Sequence, residues 1–204
     1  KRINKFNTEK ETQENQQKLG KKKYTIHDLI KYVPKTDAQN EFWQAYKRET
    51  PVIFQVGPAG TGKTAVALWN AFYEMLDDPT SYEKIIIIRP PVATVDLGFM
   101  PGDEEEKENY YSEAYRNIID EMFNYNAVYD NLNALGLIEF RTSANLRGLS
   151  LKRSIIIVDE FQSADLHSLK TIFTRQGEGS KIIFCGDFGQ IDLRGKKGTQ
   201  QSGY

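Results

Sequence analysis

The sequence predicts an α/β fold, a parallel β-sheet with helices on both faces, from three observations. Short apolar, β-branched runs recur along the chain, as at Ile85 to Ile88 and Ile155 to Val158. Segments with apolar residues at helical spacing separate them. Glycine-rich and polar residues gather just after the strands, where open parallel sheets hold their ligands. Strands that alternate with helices in this way need crossover connections, and these make neighbouring strands parallel.

The elements follow in order. Ile26 to Tyr32 and Phe42 to Tyr46 read as short helical segments around the break at Pro34. Val52 to Val56 is the first strand, Gly57 to Gly62 a glycine loop, and Val66, Trp69, Phe72, Tyr73 and Leu76 mark a helix. Asp77 to Ser81, with Pro79, stops that helix. Ile85 to Ile88 is a strand buried on both faces, because it carries no polar residue to turn toward water. Pro90 to Asn109 reads as a long loop whose acidic run, Asp103 to Glu108, is solvated. Tyr111, Tyr115, Ile118, Ile119 and Met122 then form a core-facing helical stripe. Leu137 to Phe140 and Ile155 to Val158 are strands, and Ser163 is placed to cap a helix through Leu166, Leu169, Ile172 and Phe173 that Gly177 ends. Lys181 to Cys185 is the last strand.

The chain has 204 residues, enough for one α/β domain, here expected over 26–204. Residues 1–25 read as a flexible polar segment, with eight basic against three acidic residues in 1–23. No apolar run approaches the roughly 20 residues needed to cross a bilayer, and no secretory signal is evident. A cytoplasmic setting without membrane partners is the resulting expectation. The single Cys185 excludes an internal disulfide framework and a multi-thiolate zinc site, and His27 and His167 add little capacity for metal. With a net charge of −1, nucleic-acid binding would need a local basic patch.

Gly57-Pro58-Ala59-Gly60-Thr61-Gly62-Lys63-Thr64 has two glycines five apart followed by Lys and Thr, the P-loop pattern. Glycines let successive N–H groups turn toward phosphate oxygens, and the following helix adds its positive end. Lys63 is expected to reach the β and γ phosphates of ATP, and the Thr64 hydroxyl to ligate Mg2+. Gly60 to Ala65 also fits a dinucleotide fingerprint, but Lys63-Thr64 and the next motif favour a triphosphate. That motif is the apolar strand Ile155 to Val158 ending in Asp159 and Glu160, which looks like a Walker B element. Asp159 is expected to hold the magnesium, and Glu160 to orient or deprotonate the attacking water. Gln162 and Gln190 follow neighbouring strand ends, where an amide could sense the γ phosphate.

Seven segments carry a family resemblance. They are Gly57 to Thr64, Arg89-Pro90, Leu97 to Asp103, Arg147-Gly148, Asp159 to Gln162, Thr174 to Gly177 and Gly186 to Leu193. Together the chain from Gln39 to Tyr204 resembles the PhoH-like ATPases, similar in turn to the first RecA-like domain of superfamily-one helicases. The resemblance implies a RecA-like P-loop NTPase fold, ATP hydrolysis, ring-shaped homo-oligomers such as hexamers, and RNA-related work on single strands of RNA or DNA. It places Gln39 where such helicases read adenine. Tyr204 falls short of the last elements seen in the family, which raises the expectation of a fragment.

Arg89, Arg147, Arg175 and Arg194 are candidates for γ-phosphate or strand contacts. One core has no second domain to supply an arginine finger, so Arg175 or Arg194 of a neighbouring subunit is a candidate for that role, the alternative being an ordinary helix-end or loop arginine. The leading functional expectation is a nucleic-acid-linked motor ATPase. The alternative is an assembly module set by nucleotide occupancy, with slow hydrolysis. A small-molecule kinase is disfavoured, as no acceptor-site or lid pattern is evident.

Overall fold

The structure is a computed structural model that describes residues 24–48, 50–90, 104–123, 125–143, 146, 151–187 and 189, with the backbone alone at 104–107. Gln190, Arg147, Arg194, the basic segment 1–23 and the Leu97 to Asp103 stretch lie outside the described residues. The elements are α1 (Asp37–Tyr46), β1 (Val52–Val56), α2 (Lys63–Asp77), β2 (Lys84–Arg89), α3 (Glu104–Phe123), α4 (Val128–Ala134), β3 (Ile138–Thr142), β4 (Ser154–Asp159), α5 (Leu166–Arg175) and β5 (Lys181–Gly186).

All five described strands are parallel, in the order β1-β5-β4-β2-β3. The predicted fold class is therefore the observed one. Successive isoleucines of β2, β4 and β5 point alternately to two cores. Ile85, Ile87, Ile155, Ile157 and Ile183 pack under α2, α3 and α4, while Ile86, Ile88, Ile156, Val158, Ile182 and Phe184 face α5. Each such side chain stabilises the fold by about 1.5 to 3 kcal/mol relative to exposure. β1 differs. It forms one edge of the sheet, no described strand pairs with its outer side, and Phe54 (56% exposed) and Val56 (40%) lie open on one face.

Three local expectations are corrected. Ile26 to Tyr32 is not a helix beyond the 3-10 turn Ile26–Asp28. Its backbone is claimed by the helices beneath it: Ile30 N–H donates to the Met122 carbonyl at 2.7 Å, and Trp69 Nε1 donates to the Ile30 carbonyl at 2.9 Å. The acidic run is not a loop over 104–108 but the opening of α3, where negative charge complements the helix dipole. Asp165, not Ser163, caps α5, its Oδ1 accepting Ser168 N–H at 2.6 Å, because Ser163 belongs to the preceding 3-10 turn Phe161–Ser163. The sequence also hid α4, whose first turn is capped from α3: Asp120 accepts the N–H groups of Ala127, Val128 and Tyr129.

Gly177 ends α5 for a reason other than a left-handed turn. A Cβ there would lie 2.8 Å from Lys152 Cα, so the close approach of two backbones demands glycine. At the end of α2, Asp78 accepts from the Thr80 N–H and hydroxyl and from the Ser81 hydroxyl. The Ser81 and Thr80 hydrogen bonds favour its charged form and lower its pKa from 3.8 to about 2. A depressed folded-state pKa means that the contribution of this cap is complete above pH 3.8 and fades as pH falls through about 2. NMR titration of the Asp78 carboxyl is expected to give a midpoint near 2, and a midpoint at the ordinary value would show that the cap does not form in solution.

Candidate functional site

The parallel register brings the C-terminal ends of β1, β5 and β4 into line. Val56 lies beside Gly186, and Cys185 beside Asp159. With β5 between them, β1 and β4 are two strand spacings apart, about 10 Å. The glycine loop thus stands on one side of a shallow opening and the carboxylates on the other.

On the loop side, Gly60 (φ 75°) and Gly62 (φ 79°) take left-handed conformations that a side chain would strain. Gly62 opens α2 without a capping side chain, so the positive end of the helix faces the opening. Lys63 Nζ donates to the carbonyls of Gly57 (2.7 Å) and Pro58 (2.8 Å), lying across the loop. Thr61 Oγ1 donates to the Pro58 carbonyl at 2.9 Å, tightening the turn. Gln39 Nε2 donates to the Thr61 carbonyl at 3.1 Å, while its Oε1 accepts from Lys35 N–H and the Tyr32 hydroxyl. Gln39 therefore buttresses the loop directly. Asp187, just past β5, accepts from Ala59 N–H (3.0 Å) and Gly189 N–H (2.8 Å).

On the carboxylate side, Thr64 Oγ1 donates to Asp159 Oδ1 at 2.8 Å, which joins the two halves of the site. Glu160 sits in a left-handed conformation, φ 51°, unusual for a residue with a side chain. It accepts a hydrogen bond from Gln162 Nε2, and Gln162 Oε1 accepts Asp187 N–H at 3.1 Å. Gln162 is thus buried, with both ends of its amide engaged inside the protein. Gly186 is required here, since a Cβ would meet the Phe161 ring at 2.5 Å and Gln162 Oε1 at 2.6 Å. Burial, reinforced by the Asp159 carboxylate, pushes the Cys185 thiol well above its usual range and leaves it inert.

A hydroxyl beside a carboxylate is a hard-oxygen pair that suits magnesium, which takes one or two protein ligands and completes its shell with phosphate and water. Among the described residues no group of three or more His, Cys, Asp or Glu could hold a metal by itself. The donor set fits a cation that arrives with a phosphate. No described helix is long and apolar enough to cross a membrane.

Of the residues expected at the site, Gln39, the loop from Gly57 to Thr64, Asp159, Glu160 and Gln162 come together. Arg175 does not. It ends α5, which runs back from the strand ends for ten residues, about 15 Å, toward the N-terminal ends of the strands, where Gln176 bridges Leu151. One participant was missed. Tyr115 read only as part of a core stripe, although a buried phenol needs a partner for its hydroxyl, and here that partner is Asp159. Asp187 lies where the polar residues beyond the strand ends are expected to gather, and its contact with the Ala59 amide gives it the role that the sequence did not specify.

Fold and glycine loop together define the P-loop NTPase fold class. A family model described as "PhoH-like protein" matches residues 31–204. The chain belongs to the PhoH-like family. It is 38% identical over 168 residues to the PhoH-like protein of Bacillus subtilis (strain 168), covering 78% of this chain and 49% of that one. Protein PhoH2 of the same organism is 35% identical over 150 residues, 72% of this chain and 34% of that protein. The PhoH-like protein of Mycobacterium tuberculosis (strain ATCC 25618 / H37Rv) is 35% identical over 171 residues, 79% of this chain and 45% of the relative. The chain thus spans half or less of the length of these relatives.

Proposed function

We propose that the chain is the catalytic core of a magnesium-dependent ATPase that works on single-stranded nucleic acid, RNA foremost, within a homo-oligomeric ring. One observation carries the nucleotide chemistry: Thr64, at the start of the helix behind the glycine loop, meets Asp159 across the gap filled by β5. In this reading the loop amides and Lys63 bind the phosphates, and Thr64 and Asp159 hold the cation. Magnesium, when bound, would neutralise charge on the phosphate oxygens. The Glu160 carboxylate takes a proton from the attacking water. Gln162 occupies its Oε2 and leaves Oε1 for that task. Gln190 serves as the γ-phosphate sensor, and Gln39 shapes the base end of the site through its hold on the Thr61 carbonyl.

The resemblance to superfamily-one helicase cores supports the link to nucleic acid. The distance of Arg175 from the site of its own chain supports a finger supplied across a subunit boundary, by Arg175 or Arg194. ATP hydrolysis in magnesium, with and without single-stranded RNA or DNA and over a protein dilution series, tests the whole reading. Turnover that strands raise and dilution lowers is expected. Turnover indifferent to strands would replace the motor with a nucleotide-set assembly module, and no magnesium-dependent turnover would overturn the ATPase itself.

A further inference from the structure

The Asp159 carboxylate is held from two sides. Oδ1 accepts from Thr64 Oγ1 at 2.8 Å, and Oδ2 accepts from the Tyr115 hydroxyl at 2.7 Å. Tyr115 comes from the middle of α3, is 1% exposed, and lays its ring against Phe140 at 5.5 Å between centroids. A phenol hydroxyl beside a carboxylate oxygen is the donor of the pair. Arg89, ending β2, stands beside the same hydroxyl. Its guanidinium lies over the Tyr111 ring at 5.6 Å, one turn earlier on α3, and its buried Nε has no hydrogen-bond partner among the described residues.

A carboxylate with both oxygens free can turn about its Cβ–Cγ bond and offer either one. Pinning Oδ2 removes that choice. We infer that Tyr115 is a positioning residue for the cation site, its hydroxyl fixing the Asp159 carboxylate so that Oδ1, beside Thr64, is the oxygen presented to magnesium-nucleotide. The inference rests on the ATPase reading of that site. It also gives α3 a task beyond packing, since a shift of this helix would move the hydroxyl and release the carboxylate. Outer partners that orient a metal ligand typically matter by about 10- to 100-fold in metal affinity.

The test is binding of a fluorescent ADP, N-methylanthraniloyl-ADP, to the whole chain, in EDTA and then titrated with Mg2+. Tyr115→Phe keeps the ring against Phe140 and removes only the donor. Its magnesium midpoint is expected to rise about 10- to 100-fold while its affinity in EDTA stays at the wild-type value. Phe140→Leu loosens the same packing and keeps the hydroxyl, so it lowers the melting temperature and leaves the midpoint in place. Arg89→Gln, which removes the group beside the hydroxyl, shifts the midpoint in the same direction by a smaller factor and serves should Tyr115→Phe not fold. A wild-type midpoint in Tyr115→Phe, or an equal shift in Phe140→Leu, overturns the positioning role. A wild-type chain whose nucleotide affinity ignores magnesium, or a Thr64→Ala midpoint that does not move, sinks the cation site instead, and the two failures are thereby distinct.

Discussion

Glu160→Gln is expected to lower magnesium-ATP turnover by about 10² to 10⁴, the usual worth of a positioned general base, with nucleotide binding retained. The substitution is nearly isosteric, and a glutamine carbonyl at position 160 still accepts the Gln162 amide. What disappears is the capacity to take a proton. Lys63→Ala should behave differently. It removes a charge that acts on both ground and transition states, so affinity falls along with turnover, the latter by about 10² to 10³. Single-turnover hydrolysis with a parallel binding measurement separates the two patterns. Undiminished turnover in Glu160→Gln would remove this carboxylate from the chemistry.

Glu74→Ala is expected to cost as much stability as truncating a core side chain, and the reason lies far from the phosphate loop. Lys181, at the start of β5, is 3% exposed, and both Glu74 oxygens accept from its ammonium at 2.7 and 2.8 Å. The Tyr46 hydroxyl donates to the same carboxylate at 2.6 Å, and the ammonium also lies 4.1 Å from the centre of the Tyr46 ring. Burial first, then Glu74, raise the Tyr46 pKa well above its ordinary value, so the phenol stays neutral and donating. Removing Glu74 leaves a buried ammonium and a buried hydroxyl without their acceptor, which costs about 3 to 5 kcal/mol. In a chain of this size that is a fall in melting temperature of about 10 °C. Lys181→Met should cost less, because the Glu74 side chain is 27% exposed and water can replace the lost partner. Thermal melts of both variants check the order, and equal costs would mean that the burial of Lys181 does not decide the effect.

The strands were legible because β2, β4 and β5 are buried on both faces, which leaves runs such as Ile155 to Val158 without a polar residue. Lys63, Thr64, Asp159 and Glu160 were legible because their chemistry needs particular residue types at fixed offsets from a glycine loop or a strand end. Strand order was not written locally, since it depends on which crossover packs beside which. What sequence reading missed was decided by partners distant in the chain. Asp120 looks like any helix-surface acid until α4 turns its first amides toward it. Ile26 to Tyr32 has helical spacing, yet Trp69 and Met122 take its backbone groups. Tyr115 fits its apolar stripe so well that its one polar atom drew no notice.

The edge of β1, with which no described strand pairs on its outer side, bears on how self-association of this chain is to be interpreted. Unpaired strand edges flanked by apolar side chains such as Phe54 and Val56 are templates for another strand. Two copies that join β1 to β1 use the same surface on each, so growth stops at two. A ring needs two different surfaces per subunit and passes through the dimer on the way to a closed, larger assembly. A dimer that Phe54→Lys dissolves would therefore report the open edge alone, and only larger closed species that survive the change would carry an arginine from one subunit to its neighbour's phosphates.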